Sequence, residues 1–243
     1  MNTIKSLTIY LSVVFLAFLS SCELDPDSFQ PTATIAGAIR DSLDLSLVEQ
    51  DLIDGSKIEA LEQGYTSPYF WGIKENGEYR NNFGFPNTYT IRFANCNFFP
   101  HTLNDVIIQE GENVIDFQVV PYIRIKEPAI VYDETTKMVT ATFKLDAGKP
   151  HVIVQTIQLF AFSDIHVGAP IKFNLSGGGY LQSPNTTIDP TLSYTLTIDV
   201  SKNLAANKFY EGGNYYFRIG ALANVPDVGT IKYNYAPYVK IKI

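Results

Sequence analysis

The sequence predicts an all-β protein, built as two consecutive β-sandwich domains behind an N-terminal export segment. Three observations lead there. Apolar and polar residues alternate with a period of two through most of the apolar segments, the period of a strand with one buried face. Turn-forming pairs, Asp54-Gly55, Asn76-Gly77 and Glu110-Gly111, separate those segments. The 243 residues are 46% hydrophobic and 18% charged, which is enough apolar material for real cores and too much for a disordered chain.

The first element is the export segment. Lys5 precedes an apolar run from Leu7 to Leu19, shorter than the about 20 residues a spanning helix needs, and this is the pattern of a secretory signal. The run ends in Leu19-Ser20-Ser21-Cys22, which resembles the lipobox of bacterial lipoproteins. The resemblance implies that residues 1–21 are a lipoprotein signal peptide, that cleavage precedes Cys22, and that acylation of Cys22 makes a membrane the first partner. Removing Lys5 leaves 17 basic residues against 25 acidic ones, a balance of −8. Residues 22–31 then read as an acidic tether: Glu23, Asp25 and Asp27 carry charge, and Pro26 and Pro31 keep the backbone extended. An acidic patch directly after the lipidated cysteine resembles the export signal of surface lipoproteins in the Bacteroidetes. It implies a lipid-anchored protein of the outer membrane, facing the exterior.

The first sandwich is expected over residues 32–126. Ala33, Ile35, Gly37 and Ile39 share one face of its opening strand. Tyr89, Ile91 and Phe93 alternate with Thr90 and Arg92, and Ile115, Phe117, Val119, Ile123 and Ile125 alternate with Asp116, Gln118 and Arg124. Leu43 to Leu52 is the best helical candidate, but it is short and sits inside an expected loop. The boundary is placed near Lys126–Pro128, where an apolar strand ends and a proline interrupts. Over residues 127–243, Val139, Ala141, Phe143 and Leu145 alternate with threonines and Lys144. Tyr194, Leu196, Ile198 and Val200 then form one stripe, Tyr215, Phe217, Ile219 and Ala221 another, and Val239, Ile241 and Ile243 close the chain. About seven strands over roughly 115 residues is the pattern of a fibronectin- or immunoglobulin-like sandwich.

Specific segments carry a further resemblance. Ile35 to Asp41, Asn76-Gly77-Glu78-Tyr79 and Phe85 to Ile91 resemble the strands and hairpin of prealbumin-like, carboxypeptidase-regulatory sandwiches. Tyr215 to Ala221 followed by Tyr233-Asn234-Tyr235 looks like the closing sandwich of glycan-uptake lipoproteins. Taken in order with the lipobox, Asp54 to Ile58 and Gln63-Gly64-Tyr65, they resemble a Bacteroidetes lipoprotein family encoded beside starch-utilisation-type outer-membrane transporters. The resemblance implies a surface accessory for glycan binding in polysaccharide uptake, with a glycan and a transporter complex as partners. It transfers no catalytic residue. The alternative it implies is a structural or scaffold subunit, fimbrial or transporter-associated. Prealbumin-like lipoprotein precursors build fimbriae by strand exchange, and Arg40 is the candidate cleavage point.

Few patterns of reactive chemistry are present. Net charge is −7 with no basic cluster, which argues against a nucleic-acid partner. There is no phosphate-cradling loop, dinucleotide fingerprint or Gly-x-Ser-x-Gly elbow, so no cofactor is expected and a binding protein is favoured over an enzyme. Glu75 and Glu78 flank an exposed turn where nothing would raise a carboxyl pKa, as a glycosidase acid needs. Asp51, Asp54 and Glu59 lie close together but lack a calcium-loop spacing. His101, His151, His166 and Cys96 show no zinc spacing, and Cys96 reads as a small buried hydrophobe. Aromatic residues remain. A planar ring buries the apolar C–H face of a sugar while polar neighbours bond its hydroxyl rim. Tyr65, Tyr69, Phe70 and Trp71, with Arg80, Asn81 and Asn82 downstream, form one candidate ligand site, and Tyr233, Tyr235 and Tyr238, with Asn234 and Pro237, form another, Tyr233 and Tyr235 sharing a face at strand spacing.

Overall fold

The alternating segments form the strands of two β-sandwiches in a computed structural model that describes residues 30–243. The signal peptide, Cys22 and most of the tether lie outside the described residues. In the first sandwich, strand β1 (Ala33–Asp41) is central to one sheet. It pairs antiparallel with β4 (Glu78–Gly84) and parallel with β7 (Gly111–Val114) and β8 (Phe117–Val119). The facing sheet runs β3 (Tyr69–Gly72), β2 (Lys57–Glu62), β5 (Asn87–Ala94), β6 (Thr102–Ile108), all antiparallel. Ile35 and Ile39 of β1 meet Ile58 and Ile91 of the other sheet in one buried cluster, completed by Trp71, Tyr79, Tyr89, Phe98 and Phe117. Gly37 must be bare, because a Cβ there would collide with the Ile115 carbonyl oxygen. That same oxygen accepts from the Tyr79 hydroxyl at 2.6 Å.

The second sandwich pairs β9 (Ile123–Asp133), β10 (Met138–Ala147) and β14 (Ser193–Asp199) in one sheet. In the other, β11 (Ile153–Phe162) and β15 (Asn214–Asn224) form the centre. The short strands β12 (Leu181–Gln182) and β13 (Thr186–Thr187) flank β11, while β16 (Asn234–Tyr235) and β17 (Val239–Lys242) flank β15. The expected stripes Val139 to Leu145 and Tyr215 to Ala221 both point into this core. The chain is therefore all-β in architecture, as its period-two alternation requires.

Three local expectations change. Leu43–Leu52 is not helical. Side chains there bond the backbone instead: Asp41 Oδ1 accepts from the Leu43 amide at 2.9 Å and Asp44 Oδ1 from the Ser46 amide at 3.0 Å, both turn-forming contacts. Val200 does not extend β14; it opens a six-residue helix, α1 (Val200–Ala205), capped by Asp199, which accepts from the Lys202 amide at 3.0 Å. The junction expected at 126/127 falls inside β9. Lys126 pairs with Lys144 and Ala129 with Thr142, so β9 holds one extra residue there. Glu127 takes φ +53° and Pro128 has no amide to donate, so the proline sits in a bulge of a continuous strand.

Candidate functional site

Strands β3 and β4 are successive edges of facing sheets, joined through the Asn76-Gly77 turn, in which Gly77 takes φ +87°. A cleft of about 370 Å³ lies between those edges. Its floor is Trp71 and Tyr89, whose ring centres are 6.2 Å apart at 60°. Trp71 also stacks on Tyr79 at 6.3 Å and 12°. Burial and the nearby Glu62 push the Tyr89 phenol up to about 12, so it stays protonated and donates to the Phe85 carbonyl at 2.8 Å.

The walls are more open. Tyr69 comes from β3 and is 47% exposed; Phe83 comes from β4 and is 77% exposed. Phe83 stands out because β4 carries an extra residue between Asn81, opposite Ile35, and Gly84, opposite Ala33. Asn81 Oδ1 fixes that bulge by accepting from the Phe83 amide at 3.0 Å. Arg80 Nε donates to Asn82 Oδ1 at 2.9 Å and its Nη1 to Glu112 Oε1 at 3.1 Å. The guanidinium is thus held in place at the rim of the cleft. The cleft presents flat apolar faces with donor groups on the rim, and among the described residues no carboxylate lines it.

Of the residues singled out in the sequence, Tyr69 and Trp71 come together here, with Arg80 and Asn81. Trp71 is only 6% exposed and is chiefly core. Tyr65 is exposed in the loop between β2 and β3, outside the cleft lining. Phe83 was missed, because a bulge leaves no period in the sequence.

Tyr233 and Tyr235 require a correction, since they do not form an exposed platform. Tyr235 is buried where the two sandwiches meet: its hydroxyl donates to Asp51 Oδ1 at 2.7 Å and accepts from the Ala169 amide at 2.9 Å. The Arg218 guanidinium lies 4.1 Å from its ring centre. Arg218 is 1% exposed; it pairs with the Glu49 carboxylate and donates to the carbonyls of Gln50, Val167, Glu75 and Ala236 at 3.1–3.2 Å. Tyr233 is half-buried beside it, its carbonyl accepting from Asn97 Nδ2 at 3.1 Å. Asn97 Nδ2 also reaches the Glu49 carbonyl at 2.7 Å, and Asn234 Nδ2 donates back to the Asn97 carbonyl at 2.7 Å. Burial raises the carboxyls of Asp51 and Glu49 above their ordinary range despite these partners. The sequence signal for this junction is Arg218 itself, a charge inside the apolar strand Tyr215 to Ala221, which has to find partners once buried.

The remaining acids are dispersed. Glu75 Oε1 lies 3.2 Å from His166 Nδ1, and Glu78 pairs with Lys74 at 3.7 Å. Asp51 is under Tyr235, whereas Glu59 pairs with Arg92 at 3.7 Å. Among the described residues, no group of three or more His, Cys, Asp or Glu is placed to hold a metal ion. Desolvation pushes the buried Cys96 thiol up to about 12, away from a reactive thiolate.

A family profile described as a domain of unknown function, DUF3823_C, matches residues 123–240, starting at the first residue of β9. No curated protein matches the chain. The crystal structure of a candidate carbohydrate-binding protein from Bacteroides uniformis is 46% identical, with a TM-score of 0.83, and the match covers 88% of this chain and 100% of that one. DUF3823 family proteins from Bacteroides ovatus and Parabacteroides merdae share the fold at 17% and 16% identity, each with a TM-score of 0.67. Those matches cover 86% and 88% of this chain and 98% and 100% of theirs. The second sandwich thus carries the DUF3823_C domain, and the 46% identical relative spans both sandwiches.

Proposed function

We propose that the protein is a carbohydrate-binding accessory of a polysaccharide-uptake system, anchored by lipid at Cys22 to the outer membrane and facing outward. The observation that carries the binding is the β3–β4 cleft, where Tyr69 and Phe83 stand exposed over a Trp71–Tyr89 floor with Arg80 and Asn81 on the rim. Such a surface suits a sugar ring, whose C–H face seeks an aromatic and whose hydroxyls seek donors and acceptors. The 46% identical relative, a candidate carbohydrate-binding protein, supports it. Lipid anchoring rests on Leu19-Ser20-Ser21-Cys22, and the role in uptake beside a transporter rests on the family resemblance of the sequence. No cofactor or catalytic group enters this reading; the cleft holds its ligand without reacting with it.

The fimbrial alternative draws no support from β1. Arg40 and Asp41 lie within this central strand. Arg40 Nε contacts Asp116 Oδ2 at 2.6 Å, and Asp41, 4% exposed, is held by Arg124, whose Nη2 donates at 2.8 Å. A protease would have to unfold the sheet to reach that bond.

Affinity electrophoresis through gels holding starch, xylan, glucomannan, laminarin or polygalacturonate tests the binding. Retardation by at least one polymer is expected, and its absence across the panel would count against the reading. Mass spectrometry of the native protein tests the anchor: an acylated Cys22 at the mature N-terminus is expected.

A further inference from the structure

We propose that the glycan site continues over the edge of the first sandwich onto the outward face of β3, β2 and β5, where Phe70 forms a second stacking subsite. The proposal rests on the carbohydrate reading of the cleft. Neighbouring residues of a strand face opposite sides, so Tyr69 and Trp71 turn to the cleft and core while Phe70 turns outward. Phe70 is 60% exposed, yet both it and Gly72 also line the rim of the cleft. The two surfaces are therefore continuous.

The register places hydrogen-bonding groups beside this ring. Phe70 is opposite Glu59, Glu59 opposite Arg92, and Arg92 opposite Thr102, which makes one row across the sheet. Directly opposed side chains stand about 4.5–5.5 Å apart, the scale of a single sugar ring. Glu59 and Arg92 are 3.7 Å from each other and both partly exposed, so an acceptor and a donor lie next to the aromatic face. Gly72, two residues along the same face, is opposite Lys57. A Cβ on Gly72 would meet nothing within 4 Å. Glycine is thus not required by packing, and its bareness leaves a low saddle between the cleft and the outer row. The ligand class that uses both surfaces is an oligosaccharide chain bound at several consecutive units, with one unit against Tyr69 and Phe83 and a later one on Phe70.

Size-fractionated oligomers of the retained polymer, from monomer to hexamer, test this by titration calorimetry. The affinity of the wild type should climb with length. Phe70→Ala should weaken the longest oligomers about fivefold, the scale of one lost aromatic contact, and the shortest distinctly less, whereas Tyr69→Ala should weaken every length alike. Affinity that is flat with length, or a Phe70→Ala profile matching the wild type, would overturn the second subsite and leave the cleft intact. Failure of the wild type to bind any polymer would overturn the second subsite and the carbohydrate reading together. Circular dichroism of each variant confirms that the fold is retained.

Discussion

The Tyr235 hydroxyl donates to Asp51 Oδ1 at 2.7 Å and so ties the closing strands of the second sandwich to the loop ahead of β2 in the first. Arg218 covers the same ring and bonds Glu49 and the Gln50 carbonyl of that loop. Paired polar groups join the two sandwiches here. Polar contacts of this kind fix one geometry, because any slip leaves buried groups unbonded.

Arg218 is the most consequential of these groups for stability. Arg218→Met would leave the Glu49 carboxylate buried without its counter-charge, a loss of about 3–5 kcal/mol for breaking one side of a buried pair. Arg80→Met breaks the exposed Arg80–Glu112 pair and should cost less than about 1 kcal/mol. Chemical denaturation of the two variants reads the difference; equal losses would contradict the junction described above.

The buried acids make a signed pH prediction. Burial raises Asp51 above its ordinary 3.8 in the folded protein. The folded state then holds the proton more tightly than the unfolded chain. The associated stabilisation is present below 3.8 and is lost as pH rises through the window above it. Asp51→Asn keeps an acceptor for Tyr235 and removes the titration. The variant should therefore gain stability relative to the wild type as pH is raised from about 4 to about 7, measured by denaturation at each pH. A constant difference, or one that shrinks, would contradict it.

Core and display aromatics should separate cleanly. Trp71→Ala empties a site packed by Tyr79 and Tyr89 and should cost about 3–5 kcal/mol. Phe83→Ala removes an exposed ring and should change stability by no more than about 0.5 kcal/mol. Thermal melts of both variants check the contrast.

Gly77→Ala tests the turn that joins the two walls of the cleft. The position takes φ +87°, and a Cβ would sit 2.6 Å from the Val48 carbonyl oxygen. A destabilisation above about 1 kcal/mol is expected, with weaker glycan retention if the β3 and β4 edges shift. Unchanged stability would mean the turn adapts without moving either edge.

The period-two pattern made much of this legible in the sequence. Val139 to Leu145 and Tyr215 to Ala221 alternate without a break and fall in the core, and alternation alone places Tyr69 and Trp71 on one face. What stayed hidden depends on tertiary context. Val200 continues an apolar stripe, yet the Asp199 cap turns it into a helix. Phe83 reaches the cleft through a bulge set by Asn81. Tyr233 and Tyr235 have the spacing of an exposed edge, but Tyr235 is buried against Phe160 and Val167 of its own sandwich and Asp51 of the first. Arg218 was the available clue, a lone charge in an apolar strand that could not remain unpaired.

The most direct test of the carbohydrate reading is affinity electrophoresis of Tyr69→Ala and Phe83→Ala beside the wild type, on the polymer that retards the wild type. The account predicts that both variants migrate freely while keeping the wild-type melting temperature. Retardation equal to the wild type in both would contradict it, placing the sugar somewhere other than between β3 and β4.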